Sequence, residues 1–154
     1  MKTVSRIAPI ALRIVFGLAF AAAGAVGLFQ LAPAPPHEGV AGAFVGGLAA
    51  AGYFFPLLKA TELVAGLLLV SGRLVPLALT LLAPIVVNIA AFHFLLEPQG
   101  APVAAILLLA EAGLAWIHRD AFAPLFRRSS APAPRADAAA SAVTAIDPHS
   151  SIRA

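Results

Sequence analysis

Four long apolar stretches, separated by short polar turns, dominate the pattern of this chain. They cover about residues 9–31, 53–72, 74–96 and 101–118. A helix rises about 1.5 Å per residue, so about 20 apolar residues cross the ~30 Å hydrocarbon core of a bilayer. Each stretch has roughly that length. The pattern therefore predicts an all-α membrane protein with four transmembrane helices in an up-down bundle.

The segment between the first two spans has a different pattern. Three prolines (Pro33, Pro35 and Pro36) end the first helix, and the glycine-rich, weakly apolar residues 40–52 follow. This segment is too short to span, so we expect a short interfacial or re-entrant helix before span two. The basic start and the small residues 32–34 are also typical of a cleavable signal peptide, but the apolar run is long for one and favours a retained helix.

Composition supports the membrane assignment and sets the tail apart. The chain is 61% hydrophobic and only 11% charged, whereas soluble domains have about 25% charged residues and use them as a polar shell. Residues 121–154 are rich in Ala, Pro and Ser and cannot bury a core, so they are predicted to be disordered. We therefore divide the chain into a four-helix transmembrane domain, residues 1–120, and a cytoplasmic tail, residues 121–154.

The basic residues predict the orientation of the spans. Apart from Lys59, every Lys and Arg lies before or at the start of span one, between spans two and three, or after span four. In a four-span topology all of these positions fall on one side, which the positive-inside rule makes cytoplasmic. The prediction is a multi-pass protein with both termini in the cytoplasm.

Span two carries two opposite charges, Lys59 and Glu62. Residues three apart lie about 60° apart on one helix face, and a charge facing lipid costs roughly 3 kcal/mol, so the pair should face protein. Span three runs the other way and brings Asn88 to the depth of Glu62 and His93 to that of Lys59. Because Asn88 and His93 lie about 140° apart, Asn88 is the better candidate for this cluster and His93 is expected to point elsewhere.

A second charged pair is predicted near the cytoplasmic side. Arg13 lies one turn inside span one, and Glu111 lies about two turns from the inner end of span four. Their depths match within the reach of an Arg side chain, and a bidentate contact would satisfy both groups. We therefore predict a structural pair that fixes the register of the bundle.

Several kinds of chemistry are excluded or disfavoured by the sequence. The chain has no cysteine, which excludes thiolate nucleophiles, iron–sulfur ligation and CxxC redox chemistry within it. No two histidines share a helix at metal-ligand spacing, so no metal site is predicted. His93 and His118 are expected at opposite faces of the membrane, so no haem with two histidine ligands is predicted. No basic stripe alternates with aromatic residues, so no nucleic-acid partner is expected. A self-contained catalytic motif is absent.

The chain resembles the DoxX-like family of small four-helix bacterial membrane proteins. The resemblance covers about residues 6–118 and leaves the tail outside it. The similar features are Arg13 before a glycine-rich helix and the stretch 52–98. Within that stretch they include Glu62 followed by Gly66 in ATELVAGLLLVSGR, the short turn into span three, and Asn88 with Phe92-His93. It implies the fold above, in the cytoplasmic membrane of a bacterium.

The resemblance also implies a function. Members of the family are linked to redox work at the membrane, including a subunit of thiosulfate:quinone oxidoreductase, and to oxidative or thiol stress. This implies a membrane subunit with a redox protein as its partner and quinone as its cofactor, bound near Lys59, Glu62 and Asn88, with His93 as a further candidate. Glu62 and Lys59 are then the candidates for binding or protonating a quinone carbonyl.

Two other functions stay open at this point. The first is a non-catalytic membrane anchor or partner protein, whose charged pairs serve only as structural contacts. The second is a small-solute or proton pathway, with residues 39–52 as its vestibule. The small residues of span one, Gly17, Gly24 and Gly27, let another helix approach closely and would also suit a homo-oligomer.

Overall fold

The computed structural model of the chain describes residues 4–126. This part of the chain is helical and contains no β-strand. Four helices are long and apolar enough to cross a membrane, and a short helix precedes the second of them, so the predicted all-α transmembrane architecture is confirmed. In chain order the elements are α1 (Val4–Leu28), α2 (Gly39–Ala50), α3 (Phe54–Ser71), α4 (Val75–Leu95), a 3-10 turn (Pro98–Gly100), α5 (Ala101–Ile117) and α6 (Arg119–Phe126).

The helix ends follow from local backbone chemistry. Helix α1 ends at Leu28, three residues before the end expected from the prolines, because Gln30 already has a left-handed backbone with φ of 53°. Helix α3 ends at Ser71, because Gly72 after it has a φ of 71°, a conformation that favours glycine. The turn after Gly72 is so short that α3 and α4 must run antiparallel as neighbours.

Helices α1 and α3 approach so closely that only glycine fits at their contact. A Cβ at Gly66 of α3 would overlap the backbone of Ala21, and a Cβ at Gly24 of α1 would overlap the backbone of Leu63. Gly17 faces Gly66 in the same contact. The small face of α1 is therefore covered by α3 within the monomer, so a homo-oligomer would have to use another surface.

The core of the bundle lies between α3, α4 and α5 and is completed by α1. Phe16 and Phe20 of α1 are buried and pack edge to face, with ring centroids 4.9 Å apart. The outer helix surfaces carry exposed apolar side chains, as contact with lipid requires; Leu109, for example, is 72% exposed. The largest fully buried side chains are Leu69, Leu79, Leu82, Val86 and Leu114.

Helix α2 has fewer buried residues than any of the four long helices. It has 12 residues, of which only Ala41 is buried, and it is too short to cross the ~30 Å hydrocarbon core. It packs against α3 and follows an extended loop.

The described chain forms one compact unit up to Phe122, and residues 123–126 are the described part of a second unit. Residues 121–126 of the predicted disordered tail are helical, as part of α6, so the disorder prediction is wrong there. Residues 127–154 lie outside the described residues.

Candidate functional site

Lys59 and Glu62 are in direct contact on α3. The Lys59 Nζ donates a hydrogen bond to Glu62 Oε2 at 2.8 Å. The Glu62 side chain is 3% exposed and that of Lys59 is 25% exposed, so the carboxylate is enclosed and the ammonium lies at its edge. The spacing of three residues therefore brings the charges together on one face of α3, with the carboxylate directed into the protein.

Helix α1 helps to position the cation. A Cβ at Gly27 would come within 2.6–2.9 Å of the Lys59 stem carbons, so the stem lies directly on this glycine. Beyond it, Lys59 lines a cavity of about 690 Å³ between the end of α1 and residues 32–35, together with Gln30. Lys59 thus lines two cavities, this one and a second one beside Glu62.

That second space is a groove between α2, α3 and α4, which we call the ligand groove. It consists of a cavity of about 160 Å³ and an adjoining cavity of about 400 Å³. The smaller one is lined by the four predicted polar residues, Lys59, Glu62, Asn88 and His93, together with apolar and aromatic side chains. The larger one continues along α3 and α4 as far as Pro84, and Asn88 is its sole polar residue.

Asn88 lies on the open side of the ligand groove. Its side chain is exposed, and no hydrogen-bond partner for it is present among residues 4–126. An amide that faces a groove without a partner has both donor and acceptor capacity available. Asn88 is therefore the polar group best placed to contact a molecule in the groove.

The structure also brings His93 to the ligand groove, although helical arithmetic directs it away from Asn88. The reason is that α2 lies across the end of α4, where Phe44 and Phe92 pack with ring centroids 5.9 Å apart. The groove therefore bends around α4 from Asn88 to His93. The His93 ring lies on Gly100, where a Cβ would overlap it.

His93 belongs to a polar cluster that the sequence interpretation missed. The Nδ1 of His93 lies 3.2 Å from the carbonyl oxygen of Glu97, so Nδ1 must be the donor. The Glu97 carboxylate lies 2.9 Å from Nδ1 of His37, in the loop before α2. No sequence pattern links His37 to Glu97. The four-span topology does place both at the same end of the bundle, and this was the one available signal.

The predicted Arg13–Glu111 pair is not formed. Glu111 is buried at 6% exposed, and neither carboxylate oxygen has a hydrogen-bond partner; the Nε of Arg13 is also buried without one. The Arg13 guanidinium instead lies against Gly72, in the turn between α3 and α4. Matching depth did not bring the groups together because depth does not fix the direction in which a side chain points.

Substitution of Glu111 by methionine is expected to raise the free energy of unfolding by about 1–2 kcal/mol. A buried polar group without a partner costs about 1–3 kcal/mol, and methionine removes that group at similar volume. Equilibrium unfolding in detergent measures the change, and Glu111→Gln, which keeps a polar group there, is the control. A loss of several kcal/mol would instead show that Glu111 has a partner in the membrane, with Arg13 as the first candidate.

Among the described residues, no group of three or more His, Asp or Glu side chains is arranged to hold a metal ion. Comparison of the chain with protein-family models, with curated proteins and with solved structures found no match.

Proposed function

We propose that this chain is a membrane subunit of a bacterial redox or oxidative-stress system and that it binds the head group of a quinone in the ligand groove. The observation that carries the proposal is the groove itself, which has a charged and polar end and a long apolar extension. A membrane quinone has the same division, with a polar ring and an apolar tail. The resemblance to the DoxX-like family supports the same function.

The polar end of the ligand groove offers suitable partners for a quinone carbonyl. The Lys59 ammonium has three N–H donors and gives one of them to Glu62. The Asn88 amide is free to donate as well. Glu62 keeps Lys59 in place and, when protonated, is a proton donor to the reduced ring. In this proposal the electrons come from a partner redox protein, as the resemblance to the DoxX-like family implies.

The apolar extension suits the tail of such a ligand. Phe54, Leu58, Ile85 and Pro84 line the larger cavity, whose volume of about 400 Å³ lies within the 300–1,000 Å³ of typical ligand pockets. We further propose that both termini are cytoplasmic, in the bacterial cytoplasmic membrane, because Lys and Arg outside the spans lie on one side of the four-span topology. The polar end of the groove is then in the outer half of the bilayer.

Substitution of Asn88 by leucine is expected to weaken quinone binding about tenfold, the effect of losing one hydrogen bond of about 1.4 kcal/mol. Binding of a short-chain ubiquinone and of menadione to the protein in nanodiscs measures the change. Because Asn88 is exposed and has no partner in the protein, the substitution should leave the melting temperature unchanged.

Thr80→Val is the matched control for Asn88→Leu. Thr80 is another exposed polar residue of α4, but its hydroxyl bonds to the carbonyl of Pro76 and it does not line the ligand groove. Equal affinities of the two variants would count against the site. If the wild-type protein neither co-purifies with quinone nor binds it saturably, the redox function is wrong. A co-purifying protein partner without quinone would then favour the anchor function.

A further inference from the structure

We propose that α2 is a hinged lid over the ligand groove, latched by His37 and Glu97, and that the ligand passes between the lid and α4 from the lipid phase. The identity of the ligand as a quinone rests on the proposed function. The lid itself rests on the hinges, the latch and the packing of α2.

The hinges are two glycines with left-handed backbone conformations at the two ends of α2. Gly39 has φ of 56° and Gly52 has φ of 72°. Nothing lies within 4 Å of the position that a Cβ would take at either residue. Packing against neighbours therefore does not explain these glycines. The left-handed backbone at each end of α2 explains them, and the proposed lid would turn at these two points, where no side chain packs against the glycine.

The body of α2 is weakly held. Its first two residues, Gly39 and Val40, are exposed, and Val40 is 72% exposed. No atom lies within 4 Å of a Cβ built at Gly46 or Gly47. It is held by one buried residue, Ala41, by the aromatic contact of Phe44 with Phe92 and by limited packing against α3. Few buried contacts are the mark of a segment that opens at low free energy.

The latch joins the loop before the lid to the turn after α4. His37 Nδ1 and Glu97 Oε1 are 2.9 Å apart, and the His37 ring packs edge to face on Phe92, with centroids 5.4 Å apart. Both latch side chains remain partly exposed, at 18% and 29%. The contact therefore lies near the surface, where breaking it exposes little apolar area.

The ligand groove opens beside the lid rather than through the bundle. Asn88, which lines both cavities of the groove, is exposed on α4. A molecule dissolved in the bilayer would reach Asn88 directly from there, whereas Lys59 and His93 lie in the part of the groove that α2 covers with Phe44. Movement of α2 would thus set the rate at which ligand is exchanged.

Lid movement can be measured without any ligand. The chain has no native cysteine, so spin labels at Val40→Cys on α2 and Leu109→Cys on α5 report one distance by pulsed electron resonance. We expect Glu97→Ala to broaden and shift that distance distribution. Glu38→Ala, which removes an exposed carboxylate beside the latch, is the matched control and should not. Identical distributions in all three proteins would overturn the lid.

Ligand exchange provides the second measurement. Loss of the latch bond, worth about 1 kcal/mol, is expected to speed release of a bound short-chain ubiquinone about fivefold in Glu97→Ala. A reversible bifunctional thiol reagent that joins His37→Cys to Glu97→Cys should slow release about tenfold or more until it is cleaved. Unchanged release in both cases would overturn the gating role. Absence of ubiquinone binding by the wild type would remove the proposed function, and the label distances would still decide whether α2 moves.

Discussion

Replacing Lys59 by methionine is expected to lower the free energy of unfolding by about 3 kcal/mol. The substitution leaves the Glu62 carboxylate, 3% exposed, without the ammonium that now lies 2.8 Å away. Removing one partner of a buried pair costs about 3–5 kcal/mol because the remaining charge stays desolvated. The partial exposure of Lys59 places the expected loss at the lower end of that range. Equilibrium unfolding in mild detergent is the measurement.

A double variant separates stability from ligand binding. Lys59→Met with Glu62→Leu replaces both charges by apolar groups, and its stability should return to within about 1 kcal/mol of wild type. Its affinity for quinone should not return. Arg73→Met is the control for loss of a cation: Arg73 is exposed in the turn before α4, and the expected change is about 0.5 kcal/mol or less. A fully stable Lys59→Met protein would contradict the pairing.

Replacing Gly66 by alanine is expected to destabilise the bundle by about 2–3 kcal/mol. The added Cβ would overlap the backbone of Ala21 and crowd the carbonyl of Gly17, and a backbone cannot move aside as a flexible side chain can. Overpacking of this kind costs about 1–3 kcal/mol. Thermal unfolding, followed by the fluorescence of Trp116, measures the loss.

Gly113→Ala is the control for Gly66→Ala, because its expected change in the free energy of unfolding has the opposite sign. Gly113 is also inside a membrane-spanning helix, α5, but nothing lies within 4 Å of its built Cβ. Alanine is the better helix former by up to about 1 kcal/mol, so this variant should be slightly more stable than wild type. If both variants lost the same stability, the effect at Gly66 would not arise from its contact with α1.

The transmembrane fold could be predicted from the sequence because its signals are local. Run length identified the spans, and the prolines and glycines identified the turns. The Lys59–Glu62 contact followed from a spacing of three residues on one helix. Each of these inferences needs only the geometry of a single element.

The parts that the sequence did not reveal depend on contacts between distant elements. His37 and Glu97 lie 60 residues apart in loops that have no periodicity. The place of His93 in the ligand groove depends on where α2 crosses α4, and helical arithmetic on α4 alone does not contain that information. For Arg13 and Glu111, matching depth was known, but the direction of each side chain was not.

The glycine contact between α1 and α3 has a consequence for biogenesis. Helix α3 carries both charges of the ligand groove, so by itself it partitions poorly from the translocon into lipid. Helix α1 emerges from the ribosome first. Its Gly24 and Gly27 contact the part of α3 that contains Lys59. A chain whose first span had been removed by a signal peptidase would present that part of α3 to lipid. Removal of the first span is therefore expected to hinder stable insertion of the charged helix.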